Sequence, residues 1–247
     1  MTAMSMSTSP SSPKAPIIIS FDGNIGSGKS SIVQYFKNNF QLFCDSNLEG
    51  ANKLRICFLP EPVSEWESIR DSSTGKNIIE KFYEDNKGYA FAFQMMAYIS
   101  RLSLFKKAIA QKYDIIITER SMYTDRNVFA KMLFSSGDIS SIEYQVYNKW
   151  FTEFTDILKN IKIVYIKTSP EICEKRIVKR GRSGENIPLS YLQECSRYHD
   201  NWLNNPDLIE NGSVLIVDGD PEINITQFIN NPVYDELIKK VYNFMIN

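Results

Sequence analysis

Histidine is nearly missing from this 247-residue chain: His199 stands alone. One imidazole supports neither a His-rich metal centre nor a triad built on histidine, and His199 reads as a core or surface residue. Cysteine is also scarce. Cys44, Cys57, Cys173 and Cys195 form no C-x-x-C pair, which argues against a zinc site or a disulfide framework and for a reducing interior, the cytoplasm first. Neither sign of charge is in excess, since 28 Lys+Arg face 29 Asp+Glu for a net charge of −1. Such a chain has no global electrostatic reason to bind nucleic acid or a membrane surface. No apolar run is long enough to span a bilayer. Residues 1–15 hold no apolar core segment and no arginine, so a secretory signal is not expected and a mitochondrial leader is not favoured.

What the chain does hold is enough apolar residue, 43%, for a substantial core. Residues 1–15 are rich in Ser, Thr and Pro and read as a disordered tail. Five short β-branched or apolar runs follow: Ile17–Phe21, Leu54–Leu59, Ile115–Thr118, Ile163–Ile166 and Val214–Val217. Runs of this kind suit strands buried on both faces. Between and after them lie helical patterns over Lys29–Phe40, Gly88–Lys112, Ser121–Phe134, Ser140–Lys159, Pro170–Lys179, Pro188–Asn204 and Val233–Phe244. Alternation of the two predicts an α/β fold, a five-stranded parallel sheet flanked by helices in three layers. One domain is expected over residues 16–247, with weaker order in the polar stretches Asp45–Asn52 and Asp71–Lys76.

Ligands of such sheets bind beyond the carboxyl ends of the strands, so the residues after each strand carry the information. The first strand runs into Gly23-Asn24-Ile25-Gly26-Ser27-Gly28-Lys29-Ser30-Ser31, which fits G-x-x-x-x-G-K-[ST]. Glycines let successive N–H groups turn inward as an anion nest, and the helix beginning near Lys29 adds its positive end. Lys29 should reach the β/γ-phosphates and Ser30 should ligand Mg²⁺. The fold class is therefore that of the P-loop NTPases. The loop alone does not name the reaction. A guanine-reading N-K-x-D is missing, because Asn148-Lys149-Trp150-Phe151 lacks the aspartate.

The second strand is followed by Glu61, stiffened by Pro60 and Pro62. A fixed carboxylate there suits a general base for a hydroxyl proton, or equally a strand-end ion pair. Gln94, Ala97 and Arg101 share one helix face; the Gln amide suits a nucleobase edge, or the face is simply amphipathic. The third strand leads to Glu119-Arg120, where the carboxylate can hold Mg²⁺ through water and the guanidinium can reach a transferring phosphate or acceptor oxygen. Asp125 follows and could meet Arg101 across the cleft. Arg176, Lys179, Arg180 and Arg182 cluster beside Gly181 and Gly184, as a mobile lid over the donor phosphates or as a solvated helix end.

In order, G-x-x-G-x-G-K-S, E-P-V-x-x-W, F-x-F-Q with Arg seven later, E-R-S-x-Y-x-D-R, and R-x-x-x-R-G-R with I-P-L-x-Y-L span about residues 17–204. This series resembles the deoxynucleoside kinases of the deoxycytidine, deoxyguanosine and deoxyadenosine type, not the zinc-containing thymidine kinases. The resemblance implies that Glu61 activates the nucleoside 5′-hydroxyl and that Arg120 orients it. It implies that Tyr83 and Glu185 hold the 3′-hydroxyl, although this lid has one carboxylate where many family lids have two. Gln94 would pair with the base edge, while Trp66, Phe93 and Phe129 wall it. Arg176, Arg180 and Arg182 would form the lid, about residues 176–187, and the donor adenine would lie near Asp220–Ile223. The Arg101–Asp125 pair looks like the purine- and cytosine-accepting type, so thymidine is disfavoured. The implied reaction takes ATP or UTP with Mg²⁺, and the family implies a homodimer built on the helices Gly88–Lys112 and Ile142–Phe154. Two other readings stand beside it. A nucleoside monophosphate kinase of thymidylate type would need a cationic grip on an acceptor phosphate. A non-catalytic assembly subunit would not need Lys29, Ser30, Glu61, Glu119 and Arg120 together.

Overall fold

The computed structural model describes residues 15–47, 54–155, 161–182, 185, 187–221 and 232–246. The disordered-tail expectation falls, apart from Ala15, outside them. So do the end of Asp45–Asn52, the end of Ser140–Lys159, Gly184 in the lid, and Ile223.

Five strands are present: β1 (Ile17–Gly23), β2 (Ile56–Leu59), β3 (Ile115–Glu119), β4 (Ile161–Lys167) and β5 (Val214–Asp218). They form one sheet in the order β2-β3-β1-β4-β5, every neighbouring pair parallel. β1 is central, with Ser20 opposite both Thr118 of β3 and Ile163 of β4. Its alternation divides the core. Ile19 and Phe21 point to the face covered by α1 (Lys29–Asn47) and α11 (Pro232–Ile246), among Ile32, Phe36, Phe40, Leu237 and Val241. Ile18 points to the other face, with Tyr98 and Phe105 of α4 (Asn86–Ala110) and Tyr147 and Phe151 of α7 (Ser141–Phe154). A parallel sheet needs both faces covered because its strands carry apolar residues on both sides. The result is the three-layer α/β fold expected of the P-loop class.

Several elements differ from the sequence reading. α1 runs to Asn47 rather than ending at Phe40, because Cys44 is buried, Phe43 packs edge-on to Tyr242 at 5.3 Å, and Gln41 bonds to Asp45 one turn on. Helices α2 (Val63–Ser68), α3 (Ile78–Glu84) and α10 (Pro206–Glu210) were not anticipated. α3 begins at a capping box in which Asn77 accepts from the Glu80 amide and Glu80 accepts from the Asn77 amide, satisfying N–H groups that the helix cannot. The Asp71–Lys76 stretch is an organised turn rather than a loosely ordered one, since Asp71 Oδ1 accepts from the amides and hydroxyls of Ser73 and Thr74. The helix expected over Ser121–Phe134 is interrupted. It runs α5 (Met122–Thr124), a π-helical segment Asp125–Ala130, then α6 (Lys131–Ser135). α8 (Pro170–Arg180) and α9 (Leu189–Leu203) complete the layers. Among the described residues no helix is long and apolar enough to cross a membrane.

Candidate active site

A cleft of about 940 Å³ opens at the carboxyl ends of the strands. Its floor is the loop from β1 to α1. Gly23 has φ 150° and Gly26 φ 76°, and a Cβ on either would stand 2.5 Å from Ile166 O or 2.6 Å from Cys173 O. Only glycine lets the loop lie that close to β4 and α8. Ile25 through Ser31 line the cleft. Gly23 and Asn24 are not among its lining residues; Asn24 Nδ2 donates to Leu192 O at 2.8 Å, fastening the loop to α9. Lys29 Nζ donates to Gly23 O (3.0 Å), Asn24 O (2.6 Å) and Ser27 Oγ (3.3 Å). Burial, then the charge of Arg120, brings its ammonium down to about 7 against the opposing pull of Glu119 and Glu61.

Ser30 Oγ donates to Glu119 Oε1 at 2.7 Å, joining the first turn of α1 to the end of β3. The two hard oxygen donors beside a phosphate loop fit Mg²⁺, which keeps several waters and takes few protein ligands.

Glu61 lies on the opposite wall. Its Oε1 accepts from Arg101 Nη2 at 2.7 Å and Arg120 Nη1 at 3.0 Å. Burial alone would raise this carboxyl, but Arg120 and Arg101 overcome it and hold it at about 2. Arg120 has φ 63°, a left-handed backbone that costs a non-glycine residue about 1–3 kcal/mol. Three bonds fix it there: its N–H donates to Phe21 O at 3.0 Å, Nη2 donates to Gly23 O at 3.1 Å, and its own carbonyl accepts from Thr118 Oγ1 at 2.8 Å. Its guanidinium also lies over the Phe129 ring, 5.0 Å from the centroid.

Arg101, 4% exposed, spends its other donors nearby. Nη1 reaches Glu119 O at 2.8 Å, and Nε is 3.1 Å from Asp125 Oδ2. Burial pushes Asp125 up to about 6, with Arg101 and Arg120 opposing. One carboxylate thus joins Arg120 to the buried Arg101–Asp125 pair.

The walls between are aromatic. Trp66 packs edge-on to Phe93 at 5.5 Å, and its Nε1 donates to Ser100 Oγ at 2.9 Å, which locks the indole. Phe129, Tyr83 and Ala97 line the same space. Gln94 is buried and its Oε1 has no hydrogen-bond partner among the described residues. The π-helical segment carries Asp125 and Phe129 together to the cleft, a use typical of π segments at functional sites.

At the open end, Arg176 Nη1 donates to Ser27 O at 3.2 Å and Nη2 to Pro221 O at 3.2 Å. Arg180 pairs with Glu185, so these two cleft-lining residues of the lid region engage each other. Arg182 lines the cleft and is exposed. Burial, then Glu185, raises the Tyr83 phenol. The cleft also takes in Tyr191, Tyr234, Val63 and Lys175, to which the sequence reading gave no role. Tyr191 stands inside the I-P-L-x-Y-L series and was open to discovery there; Tyr234 of α11 had no such signal.

A family model described as deoxynucleoside kinase matches residues 19–246. The chain belongs to the deoxynucleoside kinase family. Human deoxycytidine kinase is 30% identical over 244 residues, covering 92% of this chain and 90% of its own length. A fowlpox virus protein named "Probable deoxycytidine kinase" is 33% identical over 233 residues, 92% of this chain and 87% of that one. The mitochondrial deoxyguanosine kinase of Xenopus laevis is 30% identical over 220 residues, 81% and 78% of the two chains. This deoxynucleoside kinase is an enzyme of deoxynucleoside phosphorylation that draws on a nucleotide phosphate donor.

Proposed function

We propose that this kinase transfers the γ-phosphoryl group of ATP, or of UTP, to the 5′-hydroxyl of deoxycytidine, deoxyadenosine or deoxyguanosine in preference to thymidine. The observation that carries the reading is the placing of Glu61 between Arg101 and Arg120, so that one carboxylate serves the reacting end and braces the base-reading end. Ile25–Ser31 cradle the donor phosphates, with Gly23 and Asn24 shaping the loop from behind. Lys29 exchanges its loop carbonyls for phosphate oxygens, which restores a charge that burial disfavours. Arg176, Arg180 and Arg182 close as a lid over residues 176–187, adding charge where the transition state spreads it. Ser30, with Glu119 through water, would hold Mg²⁺, which when bound neutralises phosphate charge.

Glu61 takes the 5′-hydroxyl proton. In the free protein two arginines keep it ionised; as Arg120 turns toward the incoming phosphoryl group, the carboxylate loses a cation and gains basicity. Tyr83 and Glu185 hold the 3′-hydroxyl, Glu185 after releasing Arg180. Trp66, Phe93 and Phe129 stack on and enclose the base, and Gln94 supplies a carbonyl and an amide to its edge. Beyond Ala97, Asp125 accepts from an exocyclic amino group or Arg101 donates to a purine N7. The exposed row Ile142, Val146 and Trp150 on α7, with Ile99 on α4, supports a homodimer. Four unpaired thiols suit a reducing compartment, the cytoplasm.

The test is a panel of the four deoxynucleosides and their 5′-monophosphates, with ATP and UTP as donors, for wild type and Glu61→Gln. Wild type is expected to phosphorylate the amino-bearing nucleosides, and Glu61→Gln to lose about 10²–10⁴-fold in kcat. Thymidine as best substrate by a wide margin would sink the base assignment. Turnover confined to monophosphates would sink the acceptor assignment.

A further inference from the structure

Tyr147 is 1% exposed, lies in the middle of α7 and does not line the cleft. Its hydroxyl has no hydrogen-bond partner among the described residues. The same holds for Asp125 Oδ2, which touches Arg101 Nε as an ion pair but not in hydrogen-bond alignment. The two residues belong to adjoining surfaces. Arg126 Nε donates to Asn148 Oδ1 at 3.0 Å, and the Arg126 guanidinium lies 4.6 Å from the centroid of Phe151. The sequence neighbours of Asp125 and of Tyr147, Arg126 and Asn148, are therefore bonded to each other, and Asp125 and Tyr147 beside them are both buried. The adjacent Tyr98 differs, since its hydroxyl is spent on Trp150 O at 3.1 Å. Burial, then the charge of Asp125, holds the Tyr147 phenol well above its usual range, which keeps it a donor.

A buried phenol and a buried carboxylate oxygen that both want a partner are satisfied together by one water. We propose that Tyr147 is a positioning residue for base selection: its hydroxyl donates through a single bridging water to Asp125 Oδ2, and so fixes the carboxylate in the orientation that presents the Arg101–Asp125 pair to the base. This rests on the reading that the pair recognises the base. A purely structural tyrosine, by contrast, would tolerate loss of an unpartnered hydroxyl without any change in substrate discrimination.

The experiment compares wild type, Tyr147→Phe, Asp125→Asn and the double variant, with kcat and KM for all four deoxynucleosides. Tyr147→Phe keeps the ring in its apolar seat. It is expected to raise KM for the best amino-bearing nucleoside about five- to tenfold, with kcat and the thymidine KM each within about twofold. In the Asp125→Asn background the same step is expected to change KM less than about twofold, because a residue acting through Asp125 has nothing left to act on. Unchanged KM, an equal loss on all four nucleosides, or a step that persists without Asp125 overturns the proposal. Should Asp125→Asn fail to fold, the selectivity of Tyr147→Phe decides alone: selective loss sustains the proposal and uniform loss ends it. If wild type prefers thymidine, the base reading falls, and the cycle run on thymidine still decides whether Tyr147 acts through Asp125.

Discussion

His199, the one histidine, is fully buried between Tyr165, parallel at 5.9 Å, and Phe129, edge-on at 6.3 Å. Nδ1 donates to Cys195 O at 2.7 Å and Nε2 has no partner among the described residues. Burial brings the imidazole down to about 3. Its folded value lies below its unfolded value, so the unfolded chain binds the proton first as pH falls. Stability contributed by neutral His199 is complete above about pH 6.5 and declines by roughly 1.4 kcal/mol per pH unit until about pH 3. Asp125, raised to about 6, works in the opposite sense between about pH 6 and 4, so the wild-type curve alone mixes the two. Urea midpoints measured from pH 7.5 to 4.5 should fall more steeply for wild type than for His199→Gln; parallel curves would contradict it. Residue chemistry of this sort was only half legible in the sequence. The lone histidine read as a core or surface residue and is a core one, but its burial beside Phe129 depends on α9 packing against the π-helical segment. Glu61 was legible as a fixed carboxylate. That its partners would be Arg101 and Arg120 was not, because those contacts join positions 40 and 59 residues away.

Among the elements, α3 carries Tyr83 into the cleft and depends on its capping box. Asn77→Ala removes acceptors for two amides, at a cost of about 1 kcal/mol. We expect the melting temperature to drop by about 2–4 °C and the nucleoside KM to rise, since Tyr83 moves with the helix. A melting curve and a KM determination check both; an unchanged KM with a lowered melting temperature would detach the cap from substrate binding. The sequence held this cap openly as Asn77-x-x-Glu80, yet the helix behind it is only two turns long and its apolar residues show too few repeats to register. Strands fared better because continuous Ile and Val runs leave few alternatives in a sheet buried on both faces. The π-helical segment was beyond reach for a different reason. Its i+5 bonding leaves the residue pattern of an ordinary helix, and only packing against α4 and α9 decides the extra residue.

For the whole molecule, an exposed apolar row lies on α7, where Ile142 is 75% and Trp150 46% exposed, with Trp150 stacked on Phe154 at 5.5 Å. Apolar rows spaced by four residues on one helix face favour helix-on-helix association. Sedimentation should give twice the 28.5 kDa chain mass for wild type and the single-chain mass for Trp150→Glu; a wild-type monomer at micromolar concentration would remove the dimer from the account. The central place of β1 has a separate consequence, for synthesis rather than catalysis. As the chain emerges, Ile17–Gly23 gains its first neighbour only when Glu119 is made, and its second only with Lys167. Until Glu119 is made this Ile-rich strand has both edges open, and until Lys167 it keeps one open, a form prone to pair with another nascent chain. Ribosome stalling or proteolytic nicking before β4 therefore leaves an aggregation-prone strand edge exposed, and chaperone demand should rise in that interval.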